Sequence, residues 1–141
     1  MKLKLRFPAS AENAFDHAQL AVEAAYEDSG LDLDYTPGSL EQVDAQIEAL
    51  RDEGHTGEDV AEALFVFGCY VGTVMARALG GRWVDTARSP LAGVSPWPMV
   101  VVLPRGSAWD AIGKAYKRLE LGDSEYLPAY FTLAARAAAG L

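Results

Sequence analysis

The sequence has one cysteine, two histidines and none of the short motifs that mark common catalytic sites. A single thiol cannot form a disulfide within the chain, and Cys69 lies in an apolar segment typical of a buried thiol in a reducing compartment. His17 and His55 lie in separate segments, without partners at metal-ligand spacing. No nucleophile elbow, phosphate loop or dinucleotide-binding glycine pattern occurs. We therefore expect no metal and no cofactor, and a non-enzymatic role is favoured over a catalytic one.

Positive charge is scarce, with 12 Lys and Arg against 20 Asp and Glu, and the formal net charge is −8. The imbalance lies in residues 1–60, which hold 14 acidic and 4 basic residues, whereas residues 61–141 hold 6 and 8. An acidic surface repels phosphate backbones, so the composition argues against nucleic-acid binding. A basic protein is the partner whose charge would fit.

Long hydrophobic runs are also missing. The uncharged apolar stretch 63–76 has 14 residues and is bracketed by Glu62 and Arg77, whereas a membrane-spanning helix needs about 18. The first residues lack the apolar region of a signal peptide. With 50% hydrophobic and 23% charged residues, the sequence predicts one soluble, cytoplasmic globular domain over residues 1–141, with no membrane partner.

The residues that are present indicate one central helix, over about 57–79, that is apolar on nearly all sides and ends at Gly80. Gly68 and Gly72 stand four apart on one face of it. A glycine inside a helix costs about 0.5–1 kcal/mol relative to alanine. The pair therefore predicts a large neighbour against that face, either another backbone or an aromatic ring. The contact is expected within the monomer, and a homodimer through this face is the alternative.

The remaining pattern predicts an α+β fold of about five helices around this central helix, with a small antiparallel sheet. Strands are expected at 82–85 and 99–103, and 3–7 is a third candidate. A first helix over 10–29 should bury one apolar stripe: Phe15, Ala18, Val22, Ala25 and Tyr26. Later helices are expected over 110–120 and, after a cap at 122–124, to about 138.

A second helix, from Thr36 to Gly54, has an apolar face and an acidic one. The acidic face, which we expect to be solvated, carries Glu41, Asp44, Glu48 and Asp52. A general acid needs an apolar setting that raises its pKa, and this helix offers none.

Three segments occur in a recognisable order: LDYTPGSL at 33–40, G-x-Y-x-G followed by R-x-L-G-G-x-W between Gly68 and Trp83, and IGKAYKRLELG at 112–122. Together they resemble the pattern of an uncharacterised family of small bacterial domains of unknown function. The resemblance implies a bacterial protein and brings no activity. Thr73 stands where that pattern is often acidic, and Asp110-Ala111 where it has Asn-Pro.

Six residues are candidates for a ligand or partner site. Arg77 would present a guanidinium to a carboxylate, or would complement its helix end and pair with Glu62 or Asp85. Trp83 would line a pocket or fill the core. The only basic cluster would bind an anion, or would be solvated or contact the acidic first sixty residues; its members are Lys114, Tyr116, Lys117 and Arg118.

The leading interpretation is a non-enzymatic protein-interaction domain, immunity-like or regulatory, that binds a basic protein. The alternative is a binder of small anionic ligands, or an enzyme, with a cleft near Arg77, Trp83 and Lys117.

Overall fold

Five α-helices and a three-stranded antiparallel sheet make up the α+β fold of the computed structural model, which describes residues 3–141. The helices are α1 (Ala14–Ser29), α2 (Leu40–Asp52), α3 (Ala61–Leu79), α4 (Ala111–Leu121) and α5 (Leu127–Ala139). The strands are β1 (Arg82–Asp85), β2 (Met99–Val102) and β3 (Ala108–Trp109). Helix α3 is central, which confirms the predicted fold class.

The two glycines of α3 meet both kinds of neighbour that their spacing predicts. A Cβ at Gly68 would lie 2.5 Å from the backbone Cα of Ile112 in α4. A Cβ at Gly72 would lie 2.5 Å from Cη2 of the Trp83 indole. The close contacts are therefore made within the chain: Gly68 lets a helix approach, and Gly72 makes room for a ring.

The ends of α3 follow from local residues. Gly80 closes the helix with φ of 74°, a left-handed conformation that glycine adopts without strain. At the other end, Thr56 and Asp59 form the reciprocal hydrogen bonds of a capping box, at 3.0 and 3.2 Å. Val60, at φ −121°, interrupts the backbone after that turn, so α3 begins at Ala61 rather than near residue 57.

By length and composition alone, α3 could cross a membrane. Its most apolar window has a mean hydropathy of 1.4, but 61% of that window is buried inside the fold. The burial is that of a core helix.

The sheet has the order β1-β2-β3, with Trp83 opposite Val101 and Val101 opposite Trp109. Strand β2 is buried on both faces, as its uninterrupted run of apolar residues predicts. The expectation of a strand at 3–7 is wrong, and the third strand is β3 instead. The segment 3–7 lies against α3, where the amide of Lys4 donates to Glu62 rather than to a neighbouring strand.

The predicted inner stripe of α1 is wrong at its two aromatic positions. Phe15 and Tyr26 are 42% and 64% exposed, and the buried positions are Ala14, His17, Ala18, Ala21 and Ala25. Four alanines allow α1 to lie close to α3, and only the His17 ring enters the core from this face. His17 Nε2 lies 3.1 Å from the carbonyl oxygen of Pro8, while its ring meets Phe65 edge-on.

Helix α5 begins later than predicted. Residues Gly122–Glu125 form a separate 3-10 turn, and α5 starts at Leu127 with Pro128 in its first turn. The amide of Leu127 instead donates a hydrogen bond to the carboxylate of Asp44 in α2.

Candidate functional site

Arg118, one of the predicted site residues, is buried in an ion-pair network. Its Nε lies 2.8 Å from Oδ1 of Asp44 and its Nη2 lies 3.2 Å from Oδ2, while Nη1 lies 2.7 Å from Oε2 of Glu48. Asp44 also accepts the amide of Leu127, at 3.0 Å. The Arg118 side chain is 3% exposed and that of Asp44 is 8% exposed.

The buried position of Asp44 corrects the expectation that the acidic face of α2 is solvated. Asp44 lies opposite α4 and α5, so its carboxylate joins three helices. Arg118 contacts Asp44 and Glu48, which belong to the acidic first sixty residues. Such a contact was one of the two structural alternatives for the basic cluster. A guanidinium so bonded is not free for a ligand.

The two lysines of the basic cluster differ in their surroundings. Lys114 pairs with Glu125, and its ammonium lies 5.0 Å from the centre of the Tyr130 ring. This hydrogen bond from Lys114 lowers the pKa of Glu125. Lys117 is exposed and borders a cavity of about 370 Å³ that Trp97 and the 91–96 loop also line.

The two aromatic candidates make internal contacts. Trp83 lies over Gly72, and its Nε1 donates to Oγ1 of Thr73 at 3.2 Å. Tyr116 stacks on Trp97 with ring centres 4.6 Å apart, and its hydroxyl donates to the carbonyl oxygen of Ala61 at 2.6 Å. Burial raises the pKa of Tyr116. Trp83 therefore fills the core next to the sheet, and Tyr116 lies under the 91–97 loop.

Arg77 lies over two aromatic rings at the surface. Its guanidinium carbon is 4.3 Å from the centre of the Tyr35 ring and 4.8 Å from that of Phe15. The predicted pairing with Glu62 or Asp85 is wrong, since these carboxylates accept the amides of Lys4 and Ala11. Within residues 3–141, Arg77 makes no ion pair and its N–H groups donate no hydrogen bond.

The loop that carries Tyr35 is held by buried hydrogen bonds. Tyr35 has φ of 64°, a left-handed conformation that is strained for a bulky side chain. Its amide donates to the hydroxyl oxygen of Tyr70 at 2.8 Å, and Tyr70 lies 2.6 Å from Oγ of Ser39. Because Ser39 donates its own hydrogen to Thr36, the Tyr70 hydroxyl donates to Ser39. Burial raises the pKa of Tyr35 to about 12, which the charge of Arg77 opposes.

A groove of about 340 Å³ lies between α1 and α2, with α3 as its floor. Seven lining residues are small or apolar, namely Ala24, Ala25, Ala49, Leu50, Ala63, Val66 and Phe67. The polar lining residues are Asp28 and Ser29 of α1, Gln46 of α2 and, just after α2, Glu53. Ser29 donates to Gln46 at 3.3 Å and joins the two walls. We call this cavity the α1–α2 groove.

Neither the α1–α2 groove nor the platform that Phe15 and Tyr35 form under Arg77 is predicted from the sequence. An apolar periodicity shows which face of a helix is buried, but not where two helices diverge. The only feature of the sequence that indicates the α1–α2 groove is the presence of the smaller residues Ala63 and Val66 beside larger ones on one face of α3. For the platform the sequence offers no local signal, because the positive φ of Tyr35 and the contacts of its ring with Phe15 and Arg77 are seen only in the structure.

The cavity that Lys117 borders is lined by neither Arg77 nor Trp83, so these three residues do not share it. Among residues 3–141, no group of three or more His, Cys, Asp or Glu is arranged to hold a metal ion. Burial raises the pKa of the Cys69 thiol, which therefore stays protonated at neutral pH.

Comparison with known protein families, with curated proteins and with solved structures finds no match for this chain.

Proposed function

We propose that this protein is a non-enzymatic interaction domain that binds a basic partner protein at the α1–α2 groove. The observation that carries the proposal is the combination of an apolar groove with a carboxylate on each side, Asp28 and Glu53. Apolar pockets with a few polar groups at the edge are the usual form of a binding site.

The charges around the groove support a cationic partner. In residues 3–60, every carboxylate except those of Asp44 and Glu48 is exposed. Outside that pair, and counting partners among residues 3–141 only, no carboxylate in this range lies within ion-pair distance of a Lys or Arg side chain, and Glu53 lies 3.2 Å from the exposed ring of His55. Unneutralised charge of one sign destabilises the compact state by self-repulsion and attracts partners of opposite sign. A basic partner would relieve that repulsion as it binds.

The groove fits a particular kind of partner segment. Its walls are helices, and its floor carries Val66 and Phe67. A single Leu or Phe side chain of the partner would fill the apolar part, and Lys or Arg residues on either side of it would lie beside Asp28 and Glu53. Buried anchors of this kind supply most of the binding energy in protein interfaces, while charged rims mainly set the rate and specificity of association.

A defined peptide tests the proposal. The probe is an acetylated, amidated helical peptide of Leu and Lys, and a Leu and Gln peptide of the same pattern is its charge control. We expect the Lys peptide to shift the NMR signals of Ala49, Val66 and Phe67, and we expect the affinity to fall with added salt.

Matched variants locate the binding. Ala49→Arg places a long cation in the groove and should abolish binding, whereas Ala45→Arg changes an exposed residue of α2 outside the groove and should reduce it only slightly. Both variants change the net charge by the same amount. Equal weakening by the two would mean that the peptide senses the overall acidity rather than the groove, and the proposal would be wrong.

A further inference from the structure

We infer that Arg77, Phe15 and Tyr35 form a second binding site, for a monocarboxylate that carries an apolar group. We call this arrangement the Arg77 site. It is separate from the α1–α2 groove and does not depend on the function proposed there. Arg77 follows Val66 by 11 residues along α3, which corresponds to about 16 Å.

Two aromatic rings restrain the guanidinium of Arg77, and within residues 3–141 its N–H groups donate no hydrogen bond. The Phe15 and Tyr35 ring centres are 5.7 Å apart, and the guanidinium carbon lies 4.8 and 4.3 Å from them. Stacking on aromatic faces restrains an arginine side chain without occupying its N–H groups. A ligand that accepts hydrogen bonds from Arg77 therefore meets a group whose position is already restricted, which lowers the entropy cost of binding.

The platform under Arg77 is built by interactions deeper in the fold. Tyr35 keeps its positive φ because its amide is bonded to the buried Tyr70 and its hydroxyl to Gln19. The Tyr35 and Tyr70 rings also lie 4.8 Å apart. Strained residues persist where the surrounding structure imposes them, and they cluster at sites that bind ligands. The strain therefore positions the ring that supports Arg77.

The residues around Arg77 favour a ligand with one negative charge and an apolar group. A guanidinium presents two parallel N–H groups that match the two oxygens of one carboxylate. The exposed carboxylates of Asp16 and Asp34 belong to the same segments as Phe15 and Tyr35, so a dianion such as phosphate is disfavoured. Among residues 3–141, Asp34 forms no ion pair with Arg77, and its Oδ1 accepts both the amide and the hydroxyl of Thr36. Phe15, 42% exposed, offers an apolar surface beside the charge.

Two sources could supply such a carboxylate: a small organic acid, or the C-terminus of a peptide that ends in an apolar residue. The probes are 3-phenylpropanoate for the first and the acetylated tripeptide Gly-Gly-Phe with a free C-terminus for the second. The matched neutral probes are 3-phenylpropanamide and the same tripeptide with an amidated C-terminus.

The experiment follows the arginine Nε–Hε signals of the full chain by NMR during titration at constant ionic strength. We expect a saturable shift of the Arg77 signal with at least one carboxylate probe and none with its amide. The acid or the peptide that binds more tightly identifies the source. No saturable shift with either carboxylate, or an equal shift with the amides, overturns the inference.

Variants test whether binding of the carboxylate requires Arg77 itself rather than any exposed arginine. Arg77→Lys keeps the charge but removes the two-pronged donor, and Arg77→Gln removes the charge. Because neither variant has the Arg77 signal, the backbone amide signals of Phe15 and Tyr35 are followed in all proteins, and both variants should lose the saturable shift. Arg88→Gln, at an exposed arginine with no aromatic ring beneath it among residues 3–141, should leave the Arg77 response unchanged. Circular dichroism checks that each variant is folded. If Arg77→Lys binds as tightly as the unchanged protein, the inference is wrong.

Discussion

Alanine at Gly68 is expected to destabilise the protein strongly, although alanine is the better helix former. The intrinsic gain is about 0.5–1 kcal/mol. Against it, the new Cβ would lie 2.5 Å from Cα of Ile112, whereas carbon atoms pack at about 3.5–4.0 Å. Helix α4 must therefore move away by about 1 Å or more, which disturbs its packing along α3. We expect a net loss of about 2 kcal/mol, within the range for overpacked cores.

Gly72→Ala should destabilise the protein by a similar amount, but here a second substitution can relieve the steric clash. Its nearest neighbour is the ring of Trp83, a side chain that can be made smaller, and Cγ2 of Val101 lies next at 3.0 Å. Gly72→Ala combined with Trp83→Phe should cost less than the sum of the single changes, by about 1–2 kcal/mol. Gly68→Ala combined with Ile112→Val should show no such relief, because the obstructing atom belongs to the backbone.

Urea denaturation measures these free energies of unfolding, and thermal scans should show a fall in Tm of about 4–8 °C for Gly68→Ala. Gly38→Ala is the control, since a Cβ there would find its nearest neighbour at 3.9 Å. It should change stability by less than about 0.5 kcal/mol. If Gly68→Ala is as stable as Gly38→Ala, α3 and α4 are not in close contact and the packing described above is incorrect.

Three further predictions concern buried groups. Asp44→Asn should lower the free energy of unfolding by about 2 kcal/mol because Arg118 then keeps only the more exposed Glu48 as a counter-charge, whereas Asp52→Asn on the exposed side of α2 should have little effect in the same urea titration. Cys69 should not react with a thiol reagent in the native protein and should react fully in urea, because burial raises the pKa of the thiol; reaction without denaturant would contradict its burial. Burial raises the pKa of Tyr35 from 10.0 to about 12, so the folded state holds this proton more tightly than the unfolded chain. The contribution of Tyr35 to stability should therefore be fully present below about pH 10 and be lost between pH 10 and 12, and urea titrations of Tyr35→Phe over that range should show a smaller fall than those of the unchanged protein.

The central part of the fold follows from the sequence because its signals are local. The apolar run of α3, the stop at Gly80 and the two glycines on one face are all contained within twenty residues. Strands β1 and β2 are likewise set by alternation or by β-branched residues between prolines and glycines.

Other features depend on contacts between distant segments. Nothing near Asp44 distinguishes it from its exposed neighbours on α2; its burial follows from Arg118, which is 74 positions away. The helical spacing of apolar residues places Phe15 in the core, but the alanines of α1 allow a closer approach to α3 and leave the Phe15 ring at the surface. The Arg77 site likewise requires α1, the connector before α2 and the end of α3 to meet.

The three-helix junction at Asp44 has a consequence for the protein during its synthesis. Its partners Arg118 and Leu127 follow it by 74 and 83 positions, so at about 5–20 residues per second the ribosome needs roughly 4–17 s to supply them. Throughout that interval the nascent chain keeps this carboxylate hydrated. Helix α2 therefore cannot make its final contacts with α4 and α5 until Arg118 and Leu127 have been synthesised.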